Sequence, residues 1–443
     1  MTTVTAPHRL WRNTRYLTWL VSDTSKGLAA ALFAFAIPLL ALIITNDPAQ
    51  AGIIAGAGLV ARLLTTLVGG ILADRHRRVV LMLIGSLFGI VLAAAFTVLA
   101  GVDALTFGTL LVIDVLLAAR SGLFDVAGES AIKEIVPDDA MGRAQAANQG
   151  RDAALQLAGG PLGGLLLGVG GWLVGVVMTL CHLLAAVTAW MLARTMRRDG
   201  VVDTGADADA PLAQEPERSD ETKGRTAPRP NAWAELREGF RWLFSRPDLG
   251  GVLAIVTIIN LGFNAAITTT IYALQQAGYS ALLIGTLSAI IGGFMLAGAI
   301  VAPFLVPRIG AGILTICSLS VVAIGAVVLS TVTEPWAIVV VLGVAVLLIP
   351  ALNAGMMGYF MVATPTRLLG RANSAAGVLG MGAMPLGPLI AGFGLTWIGR
   401  QNTILVCAAL CVVAVALALG NRALRGLPVE SRWAEHAKQY EVR

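Results

Sequence analysis

Seven ionisable side chains stand inside long apolar stretches of the sequence, where a charge must find a partner or a water-filled cavity. In membrane proteins, ionisable residues in such surroundings mark substrate, ion or proton pathways. A carboxyl group withdrawn from water can also exchange a proton near neutral pH. These positions therefore offer proton transfer and the binding of a polar or charged ligand. The seven residues are Asp23, Lys26, Arg62, Asp114, Arg120, Arg151 and Asp152.

The composition indicates which solvent surrounds these charges. Of the 443 residues, 57% are hydrophobic and 13% are charged, whereas a soluble domain carries about 25% charged residues. Such a chain cannot cover a large water-facing surface, so lipid is the expected solvent for most of it. The 50 glycines fit this interpretation, because small residues let membrane helices approach closely. The four cysteines lie in apolar runs without a Cys-x-x-Cys pair and indicate packing rather than a metal site.

About twelve segments have the length of ~20 residues that a helix needs to cross the hydrocarbon. Their connections alternate in charge, because one set is rich in Arg and Lys and the other holds mainly acids such as Asp47, Asp103 and Glu334. Basic connections stay in the cytoplasm, so both termini are predicted to lie inside. This bias also explains the net charge of +5 without a nucleic-acid partner. The predicted spans are Tyr16–Ile44, Gln50–Leu72, Val79–Ala100, Leu105–Ala127, Ala144–Gly168, Gly171–Ala193, Leu249–Tyr272, Leu282–Val306, Ala311–Thr331, Trp336–Met361, Ala372–Thr396 and Asn402–Leu419.

The spans divide the chain into two six-helix halves, 1–194 and 249–420, with a cytoplasmic linker at 195–248 and a cytoplasmic tail at 421–443. Within the linker, Asp199–Pro230 is rich in Asp, Glu, Pro, Thr and Gly, which predicts a disordered tether. Apolar residues then recur at helical spacing from Trp233 to Phe244. They predict a short helix in the membrane interface. A cytoplasmic extension of the seventh span is the alternative.

An offset of 228 residues relates the two halves. Segment 136–144 matches segment 364–372 at Pro, Gly, Arg and Ala, since 365 − 137 and 371 − 143 both equal 228. The same offset places Gly387 and Pro388 on Gly159 and Gly160. Two six-helix halves repeated in parallel are typical of transporters with a binding site near the midplane of the membrane.

The turn after the second span carries a recognisable motif. Residues 69–78 read Gly-Gly-Ile-Leu-Ala-Asp-Arg-His-Arg-Arg. This resembles the signature of the major facilitator superfamily, Gly-x-Leu-x-Asp-Arg-x-Gly-Arg-Arg, although the second glycine is missing. The resemblance covers nearly the whole chain and implies an all-α integral membrane protein of two pseudo-symmetric six-helix halves. It also implies a gating loop, whose members here are Gly70, Asp74, Arg75, Arg78 and Asp125.

Physical arguments support a gate at this loop. Asp74 is expected to lie against the positive N-terminal end of the eleventh span and to hold the halves together there. The 228-residue offset gives this acid no counterpart in the second half. Arg75 or Arg78 is expected to pair with Asp125 or Glu129. The alternative is that the arginines only set the orientation of the chain in the membrane.

Other stretches resemble the branch of the superfamily that holds macrolide-efflux proteins and siderophore exporters. They are Asn13–Leu17, Ile37–Leu40, Glu134–Pro137 and Glu238–Leu243. The resemblance implies a drug:proton antiporter with a glycine-proline packing motif, here altered by a proline that stands one place late in the fifth span. The residues of this motif are Gly159, Gly160, Pro161, Gly163, Gly164, Gly387 and Pro388.

Proton coupling requires a titrating group, and spans seven to twelve hold no acid in the predicted hydrocarbon. Asp114 is the first candidate because it lies deepest, and Asp23 is the second. The alternative is that Asp114 stays ionised beside Arg62 and only fixes helix packing. Asp23 can likewise pair with Lys26, one turn away, and His182 is expected to be a packed neutral histidine. Arg120 is a further residue expected in the cavity or in an ion pair. Asn260 and Asn264 share one face of the seventh span and are expected either to bind a polar group of the substrate in the cavity or to bond a neighbouring helix.

The predicted function is that of a monomeric secondary transporter in the plasma membrane. We expect proton-coupled efflux of a small amphipathic compound of the drug, macrolide or siderophore class by alternating access. The expected partners are this substrate, protons and the lipid bilayer, without a cofactor, metal or nucleic acid. Uptake, facilitated diffusion and a membrane sensor that uses the tether remain alternatives. The sequence contains no Walker, zincin or Gly-x-Ser-x-Gly motif, so an enzyme is not expected.

Overall fold

A computed structural model describes residues 12–198, 232–246, 248–365 and 368–441. The predicted tether Asp199–Pro230 lies outside these residues. The described segments fold into α-helices, with no β-strand among them. The helices are α1 Thr14–Thr45, α2 Pro48–Arg75, α3 Arg78–Gly101, α4 Phe107–Ile135, α5 Asp138–Val169, α6 Gly171–Arg198, α7 Ala232–Ser245, α8 Gly250–Gln276, α9 Ala281–Leu305, α10 Ala311–Leu329, α11 Pro335–Val346, α12 Ile349–Ala363, α13 Leu369–Gly382, α14 Leu386–Gly420, α15 Arg422–Arg425 and α16 Trp433–Glu441.

Each predicted span falls on a helix or on a pair of helices. In the described chain, ten segments are long and apolar enough to cross a membrane by length and composition. The tenth predicted span is α11 followed by α12, which starts beside Pro350, a residue without a backbone N–H. The eleventh span is α13 with the first part of α14. Gly399, with φ of 76° inside α14, then separates the eleventh span from the twelfth.

Short connections between the long helices place neighbours antiparallel. We call the end with the turns at 76–77, 136–137 and 306–310 the basic end, because Arg77, Lys133 and Arg308 lie there. The other end carries the turns at 46–47, 102–106 and 277–280 and is called the opposite end.

Two helix pairs make most of the contact between the first half, α1–α6, and the second half, α8–α14. Helix α1 also touches α8 through the Gln275 side chain, which donates to the Leu39 carbonyl. The two main pairs are α2 with α14 and α5 with α9. Both are closest toward the opposite end, where a Cβ on Gly52 would collide with the carbonyl oxygen of Pro388. On the other pair, a Cβ on Gly164 would collide with the carbonyl oxygen of Ala281. Backbones this close leave no passage between the paired helices at the opposite end.

The same helices have open space beside them toward the basic end. Gly70 in α2, Gly150 in α5 and Gly377 in α13 have no atom within 4 Å of where a Cβ would stand. Helix α13 packs mainly on α7 and α8, rather than following α14 onto α2. The close backbone approaches between the halves therefore lie toward the opposite end among the described residues.

The helix before the seventh span is separate from that span. Helix α7 stops at Ser245, and α8 starts at Gly250, so the alternative of a continuous extension of the span is wrong. Helix α7 packs on α13, where Gly239 meets the carbonyl of Arg371. The predicted position of α7 in the membrane interface stays a prediction.

The tail packs back on the basic end of the second half. The N–H groups of Ala311 and Gly312 donate to the carbonyls of Pro428 and Leu427, over 3.1 and 3.3 Å. These bonds satisfy donors in the first turn of α10 that have no partner within that helix. Trp433 in α16 lies against Gly358 and stands edge-on to Tyr359. The tail thus forms part of the packed second half.

Candidate functional site

A cavity of about 280 Å³ lies between the two halves, and its walls are mainly apolar. Helix α1 gives the largest share of the apolar lining, and α2, α4, α6, α8 and α14 complete it. A cavity of this kind suits the apolar body of a small molecule. The polar or ionisable side chains in its lining are Arg62, Asp114, Arg120, Ser121, His182, Thr268 and Tyr272.

Asp114 lies in this cavity with 5% of its surface exposed. Its Oδ2 has no hydrogen-bond partner, and it faces Gly58, where any side chain larger than hydrogen would collide with it. None of the described ion pairs joins it to Arg62, so the alternative of a fixed Arg62–Asp114 pair is wrong. The reason is register, since Asp114 stands level with Gly58, one helical turn away from Arg62.

Arg62 forms none of the described close ion pairs, although it lines a second, wider cavity of about 720 Å³ together with Asp125. It is exposed and also lines the apolar cavity. This second cavity, which we call the vestibule, opens among α1, α2, α4 and α5, and its lining is largely polar or charged. The charged residues of the vestibule are Asp23, Lys26, Arg62, Asp125, Glu129, Lys133, Arg151 and Asp152.

Five of the first half's charges form one network between the vestibule and the apolar cavity. Asp23 forms ion pairs with Lys26 at 3.1 Å and with Arg151 at 2.8 Å. Asp125 lies 3.9 Å from Lys26 and 3.7 Å from Arg120. The network joins α1, α4 and α5 and includes the predicted Asp23–Lys26 pair. Sequence spacing gave no sign that Arg151 on α5 would reach Asp23, because this contact depends on how the helices pack.

The gating loop differs in part from expectation. Arg78 pairs with Glu134 at 2.8 Å and donates to the carbonyls of Ala73 and Ser130 at 3.4 Å. The expected partners Asp125 and Glu129 precede Glu134 on α4 by about two turns and one turn. The predicted pairing of Arg78 with either of them is therefore wrong.

The rest of the loop is less constrained by contacts. Arg75 is exposed, and Gly70 has no close neighbour. The structure describes the helical backbone of α2 at position 74 but not the side chain of Asp74. The gate at Asp74 therefore stays a prediction.

The packing motif contributes to two interfaces. Gly159 and Gly163 face Ala31 and Phe35 of α1. Gly160 and Gly164 face α9, and Pro161 lies between these pairs in α5. In the second half, Gly387 makes ordinary contacts with Asn264 and Ala265, and the Pro388 carbonyl approaches Gly52. Small residues thus occupy the closest contacts of this face.

The remaining candidates lie on helices α6 and α8. Asn260 and Asn264 are exposed and line neither cavity, although Thr268, one turn beyond Asn264, lines the apolar one. His182 is 1% exposed and packs against Gly89 as expected, yet it also lines the apolar cavity. Tyr272 was not singled out in the sequence. A phenol near the end of an apolar span was the available signal, because a buried Tyr hydroxyl needs a partner.

Comparisons with known proteins fit this geometry. The family profile of the Major Facilitator Superfamily matches residues 24–388. The chain belongs to the Major Facilitator Superfamily. No curated protein sequence matches it significantly. Among the described residues of this superfamily member, no group of three His, Cys, Asp or Glu is placed to hold a metal ion.

Solved structures share the fold at low sequence identity. A bacterial homologue of the iron transporter ferroportin, in an inward-facing state, has a TM-score of 0.64 at 14% identity, over 91% of this chain and 97% of that chain. The nucleoside transporter NupG gives 0.63 at 12%, over 91% and 100%. A bacterial homologue of the human lysosomal transporter Spinster, inward-facing and unoccupied, gives 0.62 at 15%, over 94% and 99%. The chain is thus a membrane transporter by family and fold.

Proposed function

We propose that the protein is a secondary active transporter that exports a small amphipathic organic compound in exchange for protons. The observation that carries this proposal is Asp114, an unpartnered carboxyl group in an otherwise mostly apolar cavity. In such surroundings the group is costly as an unpaired anion, so it favours states in which it holds a proton or faces a bound cation. Proton and substrate can then occupy the site in turn.

Alternating access follows from the asymmetry of the two ends. The halves touch closely at the opposite end, and the vestibule is open toward the basic end. A rocking motion of one half against the other would close the basic end and open the other. The gating role of Asp74 belongs to this proposal, as the lock of the basic end in the alternate state. Asp74→Asn should then shift the balance between the two states, which probe accessibility from each side would measure.

The orientation in the membrane and the assignment to the efflux branch of the superfamily are also part of the proposal. The basic end is assigned to the cytoplasm of a plasma membrane, with both termini there, on the charge bias of the connections. In this orientation the structure receives substrate from the cytoplasm. The stretches that resemble macrolide-efflux proteins and siderophore exporters support export, although the solved relatives include an iron-transporter homologue and a nucleoside transporter.

Reconstituted vesicles with an imposed pH gradient test the proposal. A panel of amphipathic drugs, macrolides and siderophores would be offered, and flux would be measured with and without the gradient. We expect gradient-dependent flux of at least one compound, and Asp114→Asn should abolish the dependence. Asp103→Asn is the control, because Asp103 is an exposed acid in a turn at the opposite end. Flux that ignores the gradient in the unmodified protein would instead establish a facilitator.

A further inference from the structure

Two buried oxygen atoms without hydrogen-bond partners line the apolar cavity from different halves. Asp114 Oδ2 belongs to α4 of the first half, and the Tyr272 hydroxyl belongs to α8 of the second half. The two residues are 5% and 1% exposed. Buried polar groups nearly always have a partner, and orphaned ones are costly. Two such groups on one cavity indicate a place for the polar group of a ligand.

The chemistry of the two oxygens narrows the class of ligand. An ionised carboxylate only accepts hydrogen bonds, and a phenol oxygen can accept one as well. A group with several N–H donors and a positive charge satisfies both and also neutralises the carboxylate. A protonated primary amine fits this description. The surrounding Phe33, Leu117 and Ile271 would contact its apolar body.

The other ionisable side chains that line the cavity are placed so that they leave this position open. Arg120 lies 3.7 Å from Asp125, and its Nη1 donates to the carbonyl of Gly85. Arg62 stands one turn from the level of Asp114, where the cavity meets the vestibule, and it is exposed. His182 packs against Gly89 on the α3 side of the cavity. None of them forms an ion pair with Asp114 among the described residues.

We propose that Asp114 and Tyr272 together bind one protonated amine of an amphipathic substrate, each from its own half. This inference rests on the proposed export function and names its substrate class. An amine held in this way would link the halves through the ligand. It would also exclude a proton from Asp114, which couples release of the amine to uptake of the proton.

A matched pair of probes separates the two contacts. Binding of 4-phenylbutylammonium and of trimethyl(4-phenylbutyl)ammonium to the purified full-length protein would be measured by calorimetry at pH 7. The second probe keeps the charge and the apolar body but has no N–H donor. Tyr272→Phe should weaken binding of the primary amine about tenfold and leave the quaternary ammonium within about twofold. Asp114→Asn should weaken both by more than tenfold.

Tyr279→Phe serves as the control, because Tyr279 lies beyond α8 and lines neither cavity. It should change neither affinity. An equal effect of Tyr272→Phe on both probes, or no effect on either, would overturn the proposal. So would the absence of primary-amine binding to the unmodified protein. Gradient-driven flux in vesicles is a separate measurement, so export of compounds without an amine could stand while the amine site fails.

Discussion

The two halves of this transporter hold their charges in different places. The first half carries the network of Asp23, Lys26, Arg120, Asp125 and Arg151 between its helices. In the second half, helices α8 to α14 contain no Asp, Glu or Lys. Two further ion pairs, Arg246–Asp248 and Arg371–Glu238, lie at the basic end, and of their four residues only Arg371 belongs to helices α8 to α14.

The contacts that hold the helices together within each half therefore differ. Both halves have close backbone contacts at small residues, such as Gly69 with the Gly122 carbonyl in the first half. In the second half, Gly262 lies against the Cys407 carbonyl, and Gly298 lies against the Leu347 carbonyl. The first half adds charge pairs that link α1, α4 and α5. We infer a division of labour, in which the first half carries titratable groups and the second half supplies a mostly apolar wall. Thr268 and Tyr272 are the exceptions, because they bring hydroxyl groups of the second half to the cavity.

Removal of Asp23 should have the largest effect on stability. Its carboxylate lies between Lys26 and Arg151, and the three side chains are at most 15% exposed. Asp23→Asn would remove one of two counter-charges from each cation, because Lys26 keeps Asp125 and Arg151 keeps Asp152. The expected loss therefore lies at the low end of the range for a broken buried ion pair. We expect a loss of about 3 kcal/mol in the free energy of unfolding, seen as a marked fall of the melting temperature in detergent.

The matched change in the second half is Ser318→Ala. Ser318 is fully buried and donates to the Leu314 carbonyl within its own helix and, at 3.3 Å, to the Leu348 carbonyl at the start of α12. Its loss should cost about 0.6 kcal/mol, as is usual for a polar contact between membrane helices. Similar melting temperatures for the two variants would contradict the contrast between the halves.

The Arg246–Asp248 pair should make the second half sensitive to acid. Burial alone would raise the pKa of Asp248, but hydrogen bonds from Arg246 and Tyr359 outweigh burial and hold the pKa below its ordinary value of 3.8. Arg246 donates twice at 2.9 Å, and Tyr359 donates once at 2.6 Å. A carboxyl group with a lowered pKa stabilises the fold fully above its ordinary pKa. That stability is lost as the pH falls through the lower, folded value.

Asp248→Asn should remove this acid dependence. At pH 7 the variant should lose about 2 kcal/mol, because hydrogen bonds to a charged group are replaced by weaker ones. From pH 5 to pH 3 its melting temperature should fall less steeply than that of the unmodified protein. Glu430→Gln is the control, since Glu430 is an exposed acid at the same end. If the melting temperature of Asp248→Asn fell with pH as steeply as that of the unmodified protein, the acid sensitivity would come from the first-half network instead.

The sequence predicted the membrane spans well, because apolar length alone determines them. Their internal breaks were harder to locate. Gly399 bends α14 through a positive φ, and one glycine among 50 gives no sign of which one adopts it. The start of α12 beside Pro350 has a clearer cause, since proline is favoured in the first turn of a helix.

The sequence indicated which residues belong to the site, but it did not indicate which side chains pair with each other. Asp114 was expected to be deep, and it is 5% exposed. Its assumed pair with Arg62 failed by one helical turn, because the relative height of α2 and α4 is set by packing such as Gly122 against Thr65. Helix packing likewise explains why Arg78 pairs with Glu134 and not with the predicted Asp125 or Glu129. Spacing along one helix gave Asp23–Lys26 correctly, since that pair needs no second helix.

The smallest effect is expected at the surface pair between α7 and α13. Glu238 and Arg371 approach to 2.6 Å, but their side chains are 52% and 34% exposed. An exposed pair contributes about 0.5 kcal/mol at most sites, and salt screens it. Glu238→Gln should therefore lower the melting temperature only slightly at low ionic strength, and the difference should disappear in about 1 M salt.

Glu238→Gln also tests whether α7 takes part in transport, because α13 lies beside the opening at the basic end. If α7 is merely packed on α13, Glu238→Gln should leave gradient-driven flux unchanged, as should Arg237→Gln, an exposed neighbour that serves as the charge control. A clear loss of flux without a loss of stability would contradict the division of labour. It would mean that a charge of α7, outside the spans, takes part in moving α13 between the two states.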